Sequence, residues 1–161
     1  MLEVLDFLSF SVYLYDYPEV INKTNYIDKM RKIREIILHC SAVRPGQCSS
    51  AADIDRWHRA RGWNGIGYHY IIRRDGSIET GRPEQQIGAH CRWHNADSIG
   101  VCYEGGLDAD GRPADTRTEA QRASMHALLT DLLARYPQAK VYPHHHFDKR
   151  KACPCFDINE L

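Results

Sequence analysis

A lone histidine closes an apolar run, Ile36-Ile37-Leu38-His39, and a second group of soft ligands, His144-His145-His146 followed by Cys153, comes more than a hundred residues later. Two imidazoles and one thiolate supplied from the ends of strands or loops suit a tetrahedral zinc with one position left to water, the arrangement of catalytic rather than structural sites. A fold that uses both groups must carry these distant segments to one point. An open coordination position implies bound water, and bound water implies hydrolysis.

The rest of the composition sets the frame. A chain of 161 residues, 43% hydrophobic and 26% charged, is ordinary for a soluble protein with a single core. Twenty-one basic residues balance twenty-one acidic ones, so no global field draws nucleic acid or an anionic membrane. The apolar stretch from Leu2 to Tyr15 is broken by Glu3 and Asp6, lacks a basic leader and is too short to span a bilayer. The expectation is therefore no signal peptide, no transmembrane helix and synthesis in the cytoplasm. Residues 1–32 read as an N-terminal extension and 33–161 as the folded domain. The six cysteines fall into no paired zinc-finger spacing, and most read as buried, reduced thiols, with a short-loop bridge between Cys40 and Cys48 as the alternative for that pair.

Along the chain, 34–41 reads as a buried strand ending near His39. Ser50 is placed to cap a helix through Ala60, with Ile54, Trp57, His58 and Arg61 on one side and Gly62 as its stop. Gly67 to Arg73 reads as a strand, and Asp75-Gly76 turns it into a hairpin whose return runs from Ser77 to Thr80. Ile87 to Cys91 and Ser98 to Glu104 are further strand candidates. Thr118 with Gln121 fits a capping box for a helix to Tyr136, whose Met125, Leu128, Leu129, Leu132 and Leu133 form a core stripe ended by Pro137. Lys140-Val141-Tyr142 is a last short strand leading into the histidine cluster. Interleaved strands and helices with one hairpin predict an α/β fold, a central mixed sheet flanked by helices.

Several segments then match in order and spacing: His39-Cys40-Ser41-Ala42, Trp57-His58, Gly62-Trp63, Gly67-Tyr68-His69-Tyr70-Ile71-Ile72, Arg74-Asp75-Gly76, Gly88-Ala89-His90, Asn95, Ser98-Ile99-Gly100-Val101-Cys102 and Lys151-Ala152-Cys153-Pro154. From about Arg34 to Asp157 the chain resembles the type 2 N-acetylmuramoyl-L-alanine amidases, in particular the bacteriophage T7 lysozyme-like branch, whose fold is that of peptidoglycan recognition proteins. The resemblance implies a zinc enzyme that cleaves peptidoglycan between N-acetylmuramic acid and L-alanine, in the manner of a phage or prophage endolysin that reaches the wall through lysis, a holin or another export route. It implies metal ligands at His39, His145 and Cys153. His144 and His146 are rivals for the middle place, and His145 is preferred because it keeps the family's eight-residue interval to the cysteine.

The same resemblance implies catalytic roles for Tyr68 and Lys151. Lys151 would steady the oxyanion, and Tyr68 would orient water or substrate or relay a proton to the departing amine. Related anhydro-muropeptide amidases place a glutamate base where this chain has Cys102; Glu104, on the same strand face, is a less favoured substitute. Trp63, Trp93 and Asn95 are expected to flank a groove for sugar and peptide, while His69 and His90 either line that cleft or pack as structural histidines. Two other readings compete: a noncatalytic muropeptide-binding module, which Cys153 argues against, and a protein-partner regulator acting through residues 1–32. One member of the branch inhibits RNA polymerase through its N-terminal region. That region differs here, so RNA polymerase binding is not carried over.

Overall fold

Glu35–Cys40 forms the first strand, β1, and its isoleucines and leucine are buried because a parallel neighbour flanks it on each side. The computed structural model describes residues 31–161. Expectations about residues 1–30, including the apolar N-terminal stretch and a partner-binding arm, lie outside the described residues. The remaining strands are β2 (Tyr70–Ile72), β3 (Ile78–Thr80), β4 (Ser98–Tyr103) and β5 (Lys140–Pro143). They form one mixed sheet in the order β3-β2-β4-β1-β5. All contacts are parallel except the β2–β3 hairpin at one edge.

Strand alternation sorts the residues onto two faces. Ile36, Leu38 and Cys40 of β1 and Ile99, Val101 and Tyr103 of β4 pack in one core with Met125, Leu128, Leu129 and Leu132 of helix α2 (Glu119–Arg135). Thr118 and Gln121 cap that helix reciprocally, as their spacing predicts, and it stops at Tyr136 ahead of Pro137. On the other face Ile71 packs with Ile66 and with Ile54 of helix α1 (Ala51–Ala60). Ser50 and Asp53 form its capping box, and Gly62, at φ +81°, lets the chain turn away beyond Arg61. His39 and Cys102 are partners across β1 and β4 and project to this second face.

Two sequence expectations change. Ile87 to Cys91 is not a strand: Ile87 is exposed, Ala89 N–H donates to Gly67 C=O at 3.0 Å, and the segment dips to bury His90. The strand expected over Gly67 to Arg73 shortens to β2; ahead of it Gly67 C=O accepts from Ala89 and Tyr68 C=O from Arg82, while His69 N–H still donates to Gly100 C=O of β4. The histidine cluster forms a single helical turn, α3 (His144–Phe147). Among the described residues no helix is long and apolar enough to cross a membrane.

Candidate metal centre and active site

β1 and β5 run parallel with Leu38 opposite Pro143, so the residues that follow, His39 and His144, leave the sheet side by side with ring centroids 4.5 Å apart. Cys153 returns to the same point. Its Sγ accepts the Cys40 backbone N–H at 3.2 Å and lies 3.8 Å from His39 Nδ1. One ligand atom from each of His39, His144 and Cys153 lies within 4.8 Å of the other two. Nitrogen and sulfur bound to a tetrahedral zinc stand about 3.6 Å apart, so this set fits the ion with little movement. Burial depresses the pKa of His39 well below the usual imidazole range, helped by neighbouring His90 and His144. Burial, then the Lys151 charge, lowers His144 as well. Both rings are therefore neutral at pH 7, with a lone pair free for a cation.

This geometry brings His144, and not the expected His145, into the group. His145 instead braces the cysteine loop: its backbone N–H donates to the Cys153 carbonyl at 2.9 Å and its Nδ1 lies 3.1 Å from the same oxygen. His146 is exposed and packs on Tyr142. Successive residues on a helical turn point about 100° apart, so only one of the three rings can face the site. The strand register picks His144.

Tyr68 lies against this group, its ring 5.1 Å from that of His39. Burial, then the sulfurs of Cys102 and Cys153, hold its phenol well above the usual pKa, so it keeps its proton and acts as a donor. A pocket of about 70 Å³ beside it is lined by Ser41, Ile54, Trp57, His58, Arg61 and Tyr68. Lys151 is exposed on the loop between α3 and Cys153, and its backbone N–H donates to Asp148 C=O at 3.0 Å.

Of the side chains expected to touch substrate, Trp63 is half-exposed and packs its ring 4.5 Å from His58, at the border of this pocket. None of the other four lines it, and for His69 and His90 this is the structural alternative. His69 is buried, with Nδ1 accepting Gly100 N–H at 2.9 Å and Nε2 on Gln86 C=O at 3.1 Å, so it ties β2 to β4. His90 is buried beneath His39, with its Nδ1 3.1 Å from His39 Nε2. Asn95 Oδ1 accepts the backbone N–H groups of His90 and Cys91, each at 2.9 Å, and so holds a loop. Trp93 is exposed, with the Arg92 guanidinium over its ring. His58 and Arg61 had been placed only as one side of a helix; their approach to Tyr68 comes from where α1 docks.

Glu104 is not a free base. Its carboxylate accepts Ser49 N–H at 2.7 Å, Arg74 N–H at 3.1 Å and Arg73 Nε–H at 2.9 Å. Burial pulls its pKa upward, but these donors outweigh it and the pKa is lowered. Nor does Cys40 pair with Cys48. Cys48 is exposed, Cys40 Sγ lies 3.6 Å from Cys155 Sγ, and all six cysteines are free thiols.

Comparison with known proteins agrees with this layout. Residues 29–156 match the N-acetylmuramoyl-L-alanine amidase family. The endolysin of Escherichia phage T7 is 45% identical over 123 residues, covering 76% of this chain and 81% of that protein. Among solved structures, the N-acetylmuramoyl-L-alanine amidase LysC from Clostridium intestinale superposes with a TM-score of 0.70 at 30% identity, over 82% of this chain and 83% of that one. A Drosophila PGRP-LB mutant in complex with tracheal cytotoxin does so with a TM-score of 0.65 at 26% identity, over 78% and 76%. The chain therefore belongs to the N-acetylmuramoyl-L-alanine amidase family, as a type 2 amide hydrolase of the branch that includes the phage T7 endolysin.

Proposed function

We propose that this amidase is zinc-dependent, holds its metal with His39, His144 and Cys153, and hydrolyses the bond between N-acetylmuramic acid and L-alanine in peptidoglycan. The observation that carries the metal reading is the convergence of three ligand atoms within 4.8 Å from segments 105 positions apart or more on one side and nine on the other. Bound zinc supplies a water acidified toward neutral pH and polarises an amide carbonyl. Cys153 serves as thiolate, with the Cys40 N–H as a donor to its sulfur. The Tyr68 phenol orients the substrate carbonyl or passes a proton to the departing L-alanine amine. The Lys151 ammonium stabilises the negative charge that develops on the lactyl oxygen. Trp57, Trp63 and Arg61 offer aromatic faces and a cation beside Tyr68 for sugar and peptide. The endolysin relatives support action at the cell wall, after cytoplasmic synthesis and release by lysis, a holin or another export route.

Incubation with purified peptidoglycan, with and without chelator, followed by mass analysis of the products tests this reading. New L-alanine amino termini are expected only with metal; cleaved sugar linkages, or activity indifferent to chelation, would overturn it. Zinc analysis separates the ligands: His144→Ala and Cys153→Ser lose the bound equivalent, whereas His145→Ala keeps it. Lys151→Ala keeps zinc and loses about 10²- to 10³-fold in kcat, the scale of one oxyanion donor.

A further inference from the structure

Three motif segments that the reaction leaves unused, Gly88-Ala89-His90, Asn95 and Ser98-Ile99-Gly100, converge on one buried ring. We propose that His90 is a positioning residue for the metal ligand His39: its Nδ1 accepts the His39 Nε2–H and thereby fixes that ring with Nδ1 aimed at the metal. The inference rests on the reading of His39 as a ligand.

The direction of the chain of hydrogen bonds follows from its far end. The His94 backbone carbonyl can only accept, and it takes the Ser98 hydroxyl proton at 2.5 Å. Ser98 Oγ is left only lone pairs to offer to His90 Nε2, 3.4 Å away, so that nitrogen carries the proton. His90 Nδ1 is then unprotonated, and the bond of 3.1 Å to His39 Nε2 requires the proton to sit on His39. His39 is thus the Nε2–H tautomer, and its Nδ1, the nitrogen that lies 3.8 Å from Cys153 Sγ, has the free lone pair. A ligand histidine is ordinarily oriented by the partner of its second nitrogen, and a neutral imidazole fills that place here.

The fold makes room for this ring on purpose-built backbone. A Cβ on Gly100 would lie 2.5 Å from His90 Cγ, and one on Gly88 would lie 2.5 Å from His90 Cδ2, so neither position admits a side chain without moving the imidazole. Asn95 Oδ1 clamps the His90 and Cys91 N–H groups. Ring faces and backbone are all held, which leaves Nδ1 with one orientation, toward His39.

Nitrogen-15 NMR of the histidine rings, on the chelated and the zinc-loaded protein, reads the tautomers directly. Both His39 and His90 are expected as Nε2–H forms; a proton on His90 Nδ1 overturns the proposal without any variant. His90→Asn keeps an acceptor oxygen near the Nδ1 position, and His90→Phe fills the volume without one. In competition with a chromogenic chelator, His90→Phe should bind zinc about 10- to 100-fold more weakly than the parent, with His90→Asn within about threefold of it. Equal weakening of both variants means that the ring only packs, and unchanged affinity in both means that it does nothing for the metal; either result overturns the proposal. Melting of the chelated variants checks folding, and if His90→Phe does not fold the tautomers of the parent decide. His39→Ala in the same competition tests the ligand reading separately: retained zinc would remove that reading while the tautomer result still stands for His90.

Discussion

Glu104 shows how a residue's partners override its place in the sequence. It shares a strand face with Cys102, beside the metal group, yet three N–H donors saturate its carboxylate. Glu104→Gln should cost about 1–3 kcal/mol in denaturant-derived stability at pH 7, since it replaces one of the two carboxylates that Arg73 pairs with, the other being Glu79, by a neutral amide. The folded pKa is lowered, so the ionised group adds stability above its unfolded value of about 4.3 and loses it as pH falls through the folded value. The gap between variant and parent should therefore shrink in unfolding measured from pH 5 downward; a gap independent of pH would mean that the charge is not what Glu104 contributes. At Gly100 the constraint is steric. Gly100→Ala drives a Cβ into the His90 ring and should cost about 1–3 kcal/mol by the same assay, with weaker zinc binding.

At the scale of elements, α2 is attached to the sheet by more than its apolar stripe. The Gln121 amide donates to the carbonyls of Ile72 and Glu104 at 3.1 and 3.0 Å, at the ends of β2 and β4, while its backbone and side chain complete the cap with Thr118. Gln121→Leu leaves the buried Glu104 carbonyl without this donor, removes one of two donors from the Ile72 carbonyl, which keeps the Glu104 N–H, and takes away half a capping box. It should cost about 2–4 kcal/mol, against about 1 kcal/mol for Thr118→Ala, both read by chemical denaturation. The capping box was legible as a pair of residues three apart; the grip on the sheet was not, because it depends on which strands end beneath the helix. The loop from Glu84 to Ser98 gives the converse case. Its apolar residues suggested a strand near Ile87, but the Arg31 guanidinium takes up the carbonyls of Glu84, Gln86, Asn95, Ala96 and Ser98 and holds the segment as a loop.

For the whole molecule, the metal group links β1, the start of α3 and the C-terminal segment, parts of the chain that meet only in the folded state. An ion held there binds the native form alone, so at a hundredfold excess over Kd it adds about 2.7 kcal/mol. Chelation should lower the thermal midpoint by about 5–10 °C in a scanning calorimeter, and His144→Ala should abolish that difference while His145→Ala preserves it. A midpoint indifferent to chelator in the parent protein would dissociate the three side chains from any ion.

Sequence by itself determined the mixed sheet, the two capped helices, and the presence of His39 and Cys153 as ligand candidates, because periodicity, capping pairs and matched segments are local properties that survive without coordinates. Tertiary structure decided which histidine of three completes the group. Loop length counted back from Cys153 pointed to His145, but the pairing of Leu38 with Pro143 sets His144 beside His39. It also decided that His69, His90 and Asn95 brace the site from below rather than line its groove, since whether a polar side chain meets substrate or backbone is fixed by what packs against it, and no single segment of the chain contains that neighbour.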